Sequence, residues 1–219
     1  QLLFQYLNAK KEKGVYLGAN AALGRRGIRM KFFPENPILV YRPFHLNERN
    51  YLYLADRGRI YGDVRLFDDQ GTGIHFYTNR EDTIADQEMT VELSRIDLKQ
   101  FKKVLPYLPD VEGWLGGSLH YVDSEGQMML SADMNLDNFV YEKSPLGNWT
   151  MSGAYLPGDN NAHHVDGFIT YNDQEIIYMN GVYQADETGQ ENITGELELQ
   201  HFPLRVINPF IPEKMVAFT

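Results

Sequence analysis

The sequence predicts an all-β fold, a long antiparallel meander curling into an open, β-taco-like groove with short amphipathic helices, and three observations predict it. Segment after segment alternates apolar and polar residues with period two, the pattern of a half-buried strand. The gaps between these segments are short and rich in Asn, Asp and Gly, as hairpin turns require. No βαβ alternation is present and no apolar run approaches the ~20 residues of a membrane-spanning helix. The same alternation would also suit a closed β-sandwich, in which the apolar faces meet each other.

The elements follow in order. Ile28, Met30 and Phe32 alternate with Arg29 and Lys31. Ile60, Gly62, Val64 and Leu66 alternate with Tyr61, Asp63, Arg65 and Phe67, and Asp68-Asp69-Gln70-Gly71 turns the chain into Ile74 and Phe76. Met89, Val91 and Leu93 form the next strand. Leu119 and Tyr121 lead through the turn Asp123-Ser124-Glu125-Gly126 into Met128, Leu130, Ala132, Met134 and Leu136, the longest clean alternation. Trp149 to Gly153, Val165 to Ile169, Ile176 to Tyr183 and Ile193 to Leu199 continue it, with Gly158–Asn161 and Asn172-Asp173 as turns.

One helix interrupts the meander. Asp97 is placed to cap it, with Gln100 returning the interaction. Leu98, Phe101, Val104, Leu105 and Leu108 share a face that would cover the end of a β layer, and Pro106 and Pro109 end it. Leu105-Pro106-Tyr107-Leu108-Pro109 is echoed by Asn208-Pro209-Phe210-Ile211-Pro212, 103 residues further on. Each copy follows an alternating strand, which predicts a second short helix over Leu204–Phe210. Residues 1–219 then form one elongated β-repeat segment with units 1–110 and 111–219. The first residue is Gln1, and Val216-Ala217-Phe218-Thr219 reads as a strand cut short, so a piece of a longer protein is expected.

Composition narrows the function. Fourteen Tyr and twelve Phe give ample area to bury, which excludes disorder, and the absence of Cys excludes disulfides and thiolate metal sites. Residues 1–33 hold seven Lys and Arg against the single Glu12, a net +6, which leaves −16 on the rest of a chain whose net charge is −10. An acidic body lacks the clustered cations of a nucleic-acid groove. The basic start suits anionic headgroups, an acidic neighbour or simply solvent.

No catalytic constellation emerges, so the chain reads as a binding or conduit module and not an enzyme, without cofactor. Its six Ser include no G-x-S-x-G elbow, and its six His (45, 75, 120, 163, 164 and 201) show no zinc spacing. His163 and His164 lie next to Asp166, but adjacent strand residues point to opposite faces and do not share one ion. Phosphate-binding glycine motifs are absent. Asn148-Trp149-Thr150 and Asn192-Ile193-Thr194 match the N-glycosylation pattern. Asp82-Thr83-Ile84 resembles a periplasmic O-glycosylation sequon, with Thr83 the acceptor.

Several motifs resemble one family. Phe33-Pro34-Glu35-Asn36-Pro37 with Tyr51-Leu52-Tyr53-Leu54, then Gly62-Asp63-Val64-Arg65-Leu66, resemble recurring motifs of TamB-type translocation and assembly proteins, AsmA-like relatives of the bridge-like lipid-transfer proteins. Ser94–Gly117, with its Asp-Leu-x-x-Phe helix and Gly-Trp-Leu-Gly-Gly, is similar to their strand–helix–strand repeat, and Met134–Phe139 to another recurring strand. The resemblance implies a periplasmic segment of a Gram-negative, inner-membrane-anchored protein, carrying phospholipids to the outer membrane or assisting outer-membrane protein assembly. Its implied partners are phospholipid acyl chains, neighbouring segments of the same long chain and a BamA-like outer-membrane protein. Acyl chains gain about 0.8 kcal/mol per buried CH₂ in such a trough.

The expected lining is Ile60, Val64, Leu66, Ile74, Phe76, Met89, Val91, Leu93, Leu119, Tyr121, Met128, Leu130, Ala132, Met134, Leu136, Ile193, Leu197 and Leu199. Alternation places these on one side within each strand, and their continuity between strands is a hypothesis. A carbohydrate-binding or adhesion sandwich is the alternative function, with Trp149, Tyr155, Tyr171 and Tyr183 as outward stacking platforms.

Overall fold

Period-two alternation becomes strand almost everywhere: the computed structural model, which describes residues 1–79, 85–158, 162–185 and 191–211, is 70% strand and 7% helix. The strands are β1 (Leu2–Leu7), β2 (Lys13–Gly24), β3 (Gly27–Leu39), β4 (Arg42–Pro43), β5 (His45–Leu46), β6 (Tyr51–Ala55), β7 (Ile60–Phe67), β8 (Gly73–Thr78) and β9 (Gln87–Asp97). After the short helix α1 (Leu98–Phe101) come β10 (Val111–Ser124), β11 (Gln127–Tyr141), β12 (Ser144–Pro157), β13 (Ala162–Tyr171), β14 (Gln174–Ala185) and β15 (Glu191–Leu199). A 3₁₀ helix, Leu204–Phe210, follows.

All fifteen strands join one antiparallel sheet that is not closed. Its order follows the chain, with β4 paired to β3 and β5 to β7 beside the main path. The sheet runs unbroken past residue 110. Hairpin chemistry explains the order in the second half. Glu125-Gly126 (φ 54° and 78°), Glu142-Lys143 (45° and 69°) and Asn172-Asp173 (47° and 66°) each put two consecutive residues at positive φ. That geometry matches the twist of the strands it joins. Glycine removes the steric cost at Gly126, and Asn and Asp tolerate it at 172 and 173.

The first helix is shorter than its apolar spacing predicts. Asp97 caps it by accepting from the Lys99 backbone N–H at 3.1 Å, and Gln100 donates its amide to the same carboxylate at 2.7 Å. After Phe101 the chain continues in tight turns, with the Val104 N–H donating to the Phe101 carbonyl at 3.0 Å. Pro106 has no N–H to donate and disfavours helical geometry at Leu105, so the helix stops well before Leu108. A strand followed by a short helix occurs again at β15 and Leu204–Phe210.

Among the described residues no second layer covers the sheet. The buried apolar side chains among the described residues are few: Ala19, Phe44, Leu46, Leu146, Ala162, Ile176 and Val206. In mid-sheet Leu119 is 39% exposed, Leu130 42% and Met151 46%. Side chains meeting across a sandwich core would be sealed from water. The closed sandwich therefore does not form among the described residues.

Candidate functional site: one apolar face of an open sheet

Residues directly opposite in an antiparallel pair share a face, so the register decides which side each apolar side chain occupies. From β7 to β8, Val64 opposes Phe76 and Leu66 opposes Ile74, with Ile60 two steps along the same face. Ile74, Phe76 and Thr78 then oppose Leu93, Val91 and Met89 of β9. Those three oppose Gly117, Leu119 and Tyr121 of β10. Gly117, Leu119, Tyr121 and Asp123 face Met134, Ala132, Leu130 and Met128 of β11, and Leu115 faces Leu136. The face continues through Trp149, Met151 and Tyr155 of β12, Val165 and Ile169 of β13 and Met179 and Tyr183 of β14. It ends on Ile193, Leu197 and Leu199 of β15. All eighteen residues of the expected lining thus lie on one side of one sheet.

Sequence reasoning left out part of this face. Leu52 and Leu54 of β6 oppose Met30 and Ile28 of β3, and Ile60 opposes Leu54, which extends the face toward β1. Trp149, Met151, Val165, Ile169 and Met179 also belong to it, and their period-two spacing was the signal. Trp149, Tyr155, Tyr171 and Tyr183 do not point outward from a sandwich. They share the apolar face, where Trp149 meets Tyr171 edge-on at 5.1 Å and donates its indole N–H to the Leu146 carbonyl at 2.7 Å.

Among the described residues, hollows mark the face at three places. The smallest, about 140 Å³, lies at α1 between Phe101, Phe44, Leu66 and Ile74. A second, about 200 Å³, lies over Gly153 and Gly167, walled by Leu130, Met151, Val165 and Met179. The third, about 430 Å³, lies beneath the Leu204–Phe210 helix. Both helices follow strands that end at the same rim, where β7, β11 and β13 also end and β8, β10, β12 and β14 begin. Each helix therefore covers the apolar face from one side only.

The opposite face is mostly polar and internally paired, although Leu156 and Phe168 stand partly exposed on it. His75 Nε2 lies 3.0 Å from an Asp63 carboxylate oxygen, and the Tyr77 hydroxyl donates to Glu92 at 3.1 Å. Burial and that bond raise the pKa of the Tyr77 hydroxyl, because both disfavour a phenolate. Thr90 Oγ1 is 2.9 Å from His120 Nδ1, and Ser152 donates to Asp133 at 2.6 Å. Basic residues of the start are partly engaged by aromatic rings, Lys13 over Tyr16 at 4.4 Å and Arg29 over Tyr51 at 4.9 Å.

No group of three or more His, Asp or Glu among the described residues is arranged to hold a metal ion. His163 sits on the apolar face, 2.6 Å from the Tyr155 hydroxyl, while its neighbour His164 belongs to the other face. Asn148 of the first glycosylation pattern accepts from the Asn138 backbone N–H at 2.7 Å, so its side chain is occupied in a bulge. Thr83 lies outside the described residues. Among those residues no helix is long and apolar enough to cross a membrane. No protein-family model, no curated protein and no solved structure matches the chain.

Proposed function

We propose that this chain is a conduit segment that carries phospholipid acyl chains along an open apolar face. On this reading it belongs to a TamB-type, AsmA-like protein of the periplasm, anchored in the inner membrane and meeting a BamA-like outer-membrane partner. Lipid transport or outer-membrane protein assembly is then its purpose. The observation that carries the reading is the unbroken apolar face from Ile28 to Leu199, half exposed along its middle and backed by a mostly polar face. Exposed contiguous apolar surface of this extent marks a binding surface in a folded protein. A face that offers area and almost no polar anchors suits a ligand that needs none, as an acyl chain does. The aromatic side chains lie among aliphatic ones, which favours an acyl chain over a sugar ring needing paired hydroxyl partners.

The test joins thermal melting to native mass spectrometry of co-purified phospholipid, on wild type, Val91→Asp and Met134→Asp. Both positions are partly exposed, so an added carboxylate stays hydrated while the face is empty. Beneath acyl chains the same carboxylate is desolvated at a cost of several kcal/mol. Both variants are expected to keep a cooperative melt and lose the lipid. No phospholipid on the wild type, with the melt lost in both variants, rejects the conduit.

A further inference from the structure

We infer that the hollow beneath the Leu204–Phe210 helix is a discrete slot for one acyl chain of an anionic lipid. The inference rests on the conduit reading and adds a defined resting place to it. Leu136, Trp149 and Ile169 form the floor, and Val206 and Phe210 of the helix, with Phe202 just before it, complete the lining. The cover is anchored: Val206 is 5% exposed, and the rings of Phe210 and Tyr141 stand 4.6 Å apart at the rim. The hollow, about 430 Å³, is the largest of the three described on this face, and its lining is apolar apart from Asn135 and Thr150, which suits an acyl chain.

The polar side chains that edge the slot are turned to other partners. Asn135 donates to Asp137 at 2.8 Å, and Thr150 meets Thr170 at 2.6 Å. A hollow of this size without free polar partners holds water poorly and accepts an apolar guest. Two exposed cations neighbour its cover along the chain, Arg205 on the covering helix beside Val206 and Lys143 in the turn that follows Tyr141. Lys143 already adds, after Lys102, to the lowering of the Asp110 carboxyl pKa, so Arg205 is the main cation offered to a phosphate-bearing headgroup. The hollow at α1 is a third of the size, and the mid-sheet hollow has no covering helix.

Delipidated protein titrated with palmitoyl-lysophosphatidylglycerol, and separately with palmitoyl-lysophosphatidylcholine, tests this by native mass spectrometry. A diazirine at the end of the acyl chain reports position by cross-linking. One tightly held lysophosphatidylglycerol is expected, cross-linked to peptides that carry Leu136, Trp149 or Val206. Ile169→Trp, which fills the floor, should weaken it at least tenfold. The double variant Lys143→Ala/Arg205→Ala leaves the fold untouched and should weaken the anionic probe about fivefold, with little effect on the choline form. Binding with cross-links spread over β7–β10, or unchanged by Ile169→Trp and by the double variant, overturns the slot and leaves the conduit standing. No binding of either probe to the wild type overturns both.

Discussion

The two halves of the sheet satisfy their backbones in different ways. From β10 to β15, strands of nine to fifteen residues follow one another through short connections, and each pairs with its neighbour along nearly its whole length. Among β3, β6, β7 and β9 the strands splay apart. β3 meets β6 only over Gly27–Met30, and beyond it the Asn50 side chain takes the place of a strand. Asn50 Oδ1 accepts from the Phe32 N–H at 2.8 Å while its Nδ2 donates to the Phe32 carbonyl at 3.4 Å. Gln87 does the same for Ile60, with both bonds at 2.7 Å, and Thr78 Oγ1 serves Gly62. A side-chain amide carries the same donor and acceptor as a peptide group, so it can close a ladder where no strand reaches. Asn50 and Gln87 are accordingly buried, at 5% and 8% exposure, although both are polar. A regular ladder tolerates change at most side chains, whereas a ladder completed by side chains fails when one is removed.

Backbone closeness in the regular half gives the largest expected effect. Gly117 stands at φ 133°, and a Cβ there would clash with the Asp133 carbonyl oxygen and lie 2.7 Å from the Met134 Cα. Gly117→Ala should cost about 3 kcal/mol or more, read as a drop of ten degrees or so in Tm. Asn50→Ala and Gln87→Ala come next, at about 1–3 kcal/mol each, because each leaves a backbone N–H and carbonyl without partners. Hydrogen exchange should rise in β3, β6 and β7 and stay unchanged in β12–β15. Equal loss of protection in both halves would show that the sheet unfolds as one unit and that the contrast has no energetic meaning. Ser152→Ala removes an exposed bond to Asp133 in the regular half and should stay within about 0.5 kcal/mol.

The smallest effect is electrostatic. Lys102 bonds to Asp110 beyond α1 and holds its carboxyl below the ordinary carboxylate pKa. A depressed folded pKa stabilises above the unfolded value near 3.9 and is lost as pH falls through the folded one. Asp110→Asn should therefore lower Tm slightly at pH 7 and flatten the shallow slope in Tm below about pH 4, where the two proteins converge.

The fold was largely legible because strand alternation and turn chemistry are local. The Asp97 cap, the turns at Asp68–Gly71 and Glu125-Gly126, and the later helix at Leu204–Phe210 all lie where short-range signals put them. The overlong expectation for α1 came from reading apolar spacing through Pro106, which removes a donor that the helix needs.

Alternation by itself determined that Met128, Leu130, Ala132, Met134 and Leu136 share a side, since successive strand residues point opposite ways. It also determined that the chain is a meander, since each strand is followed within a few residues by a turn. Only the tertiary structure decided that the apolar sides of successive strands coincide. A slip of one residue in any of the pairings would have turned a whole strand over. The tertiary structure alone also decided that this face stays uncovered except at its helices, and that Asn50 and Gln87 complete it. A period-two pattern is the same whether the apolar side meets a second layer or open space, and a polar residue's partner eighteen or twenty-seven positions away leaves no local mark.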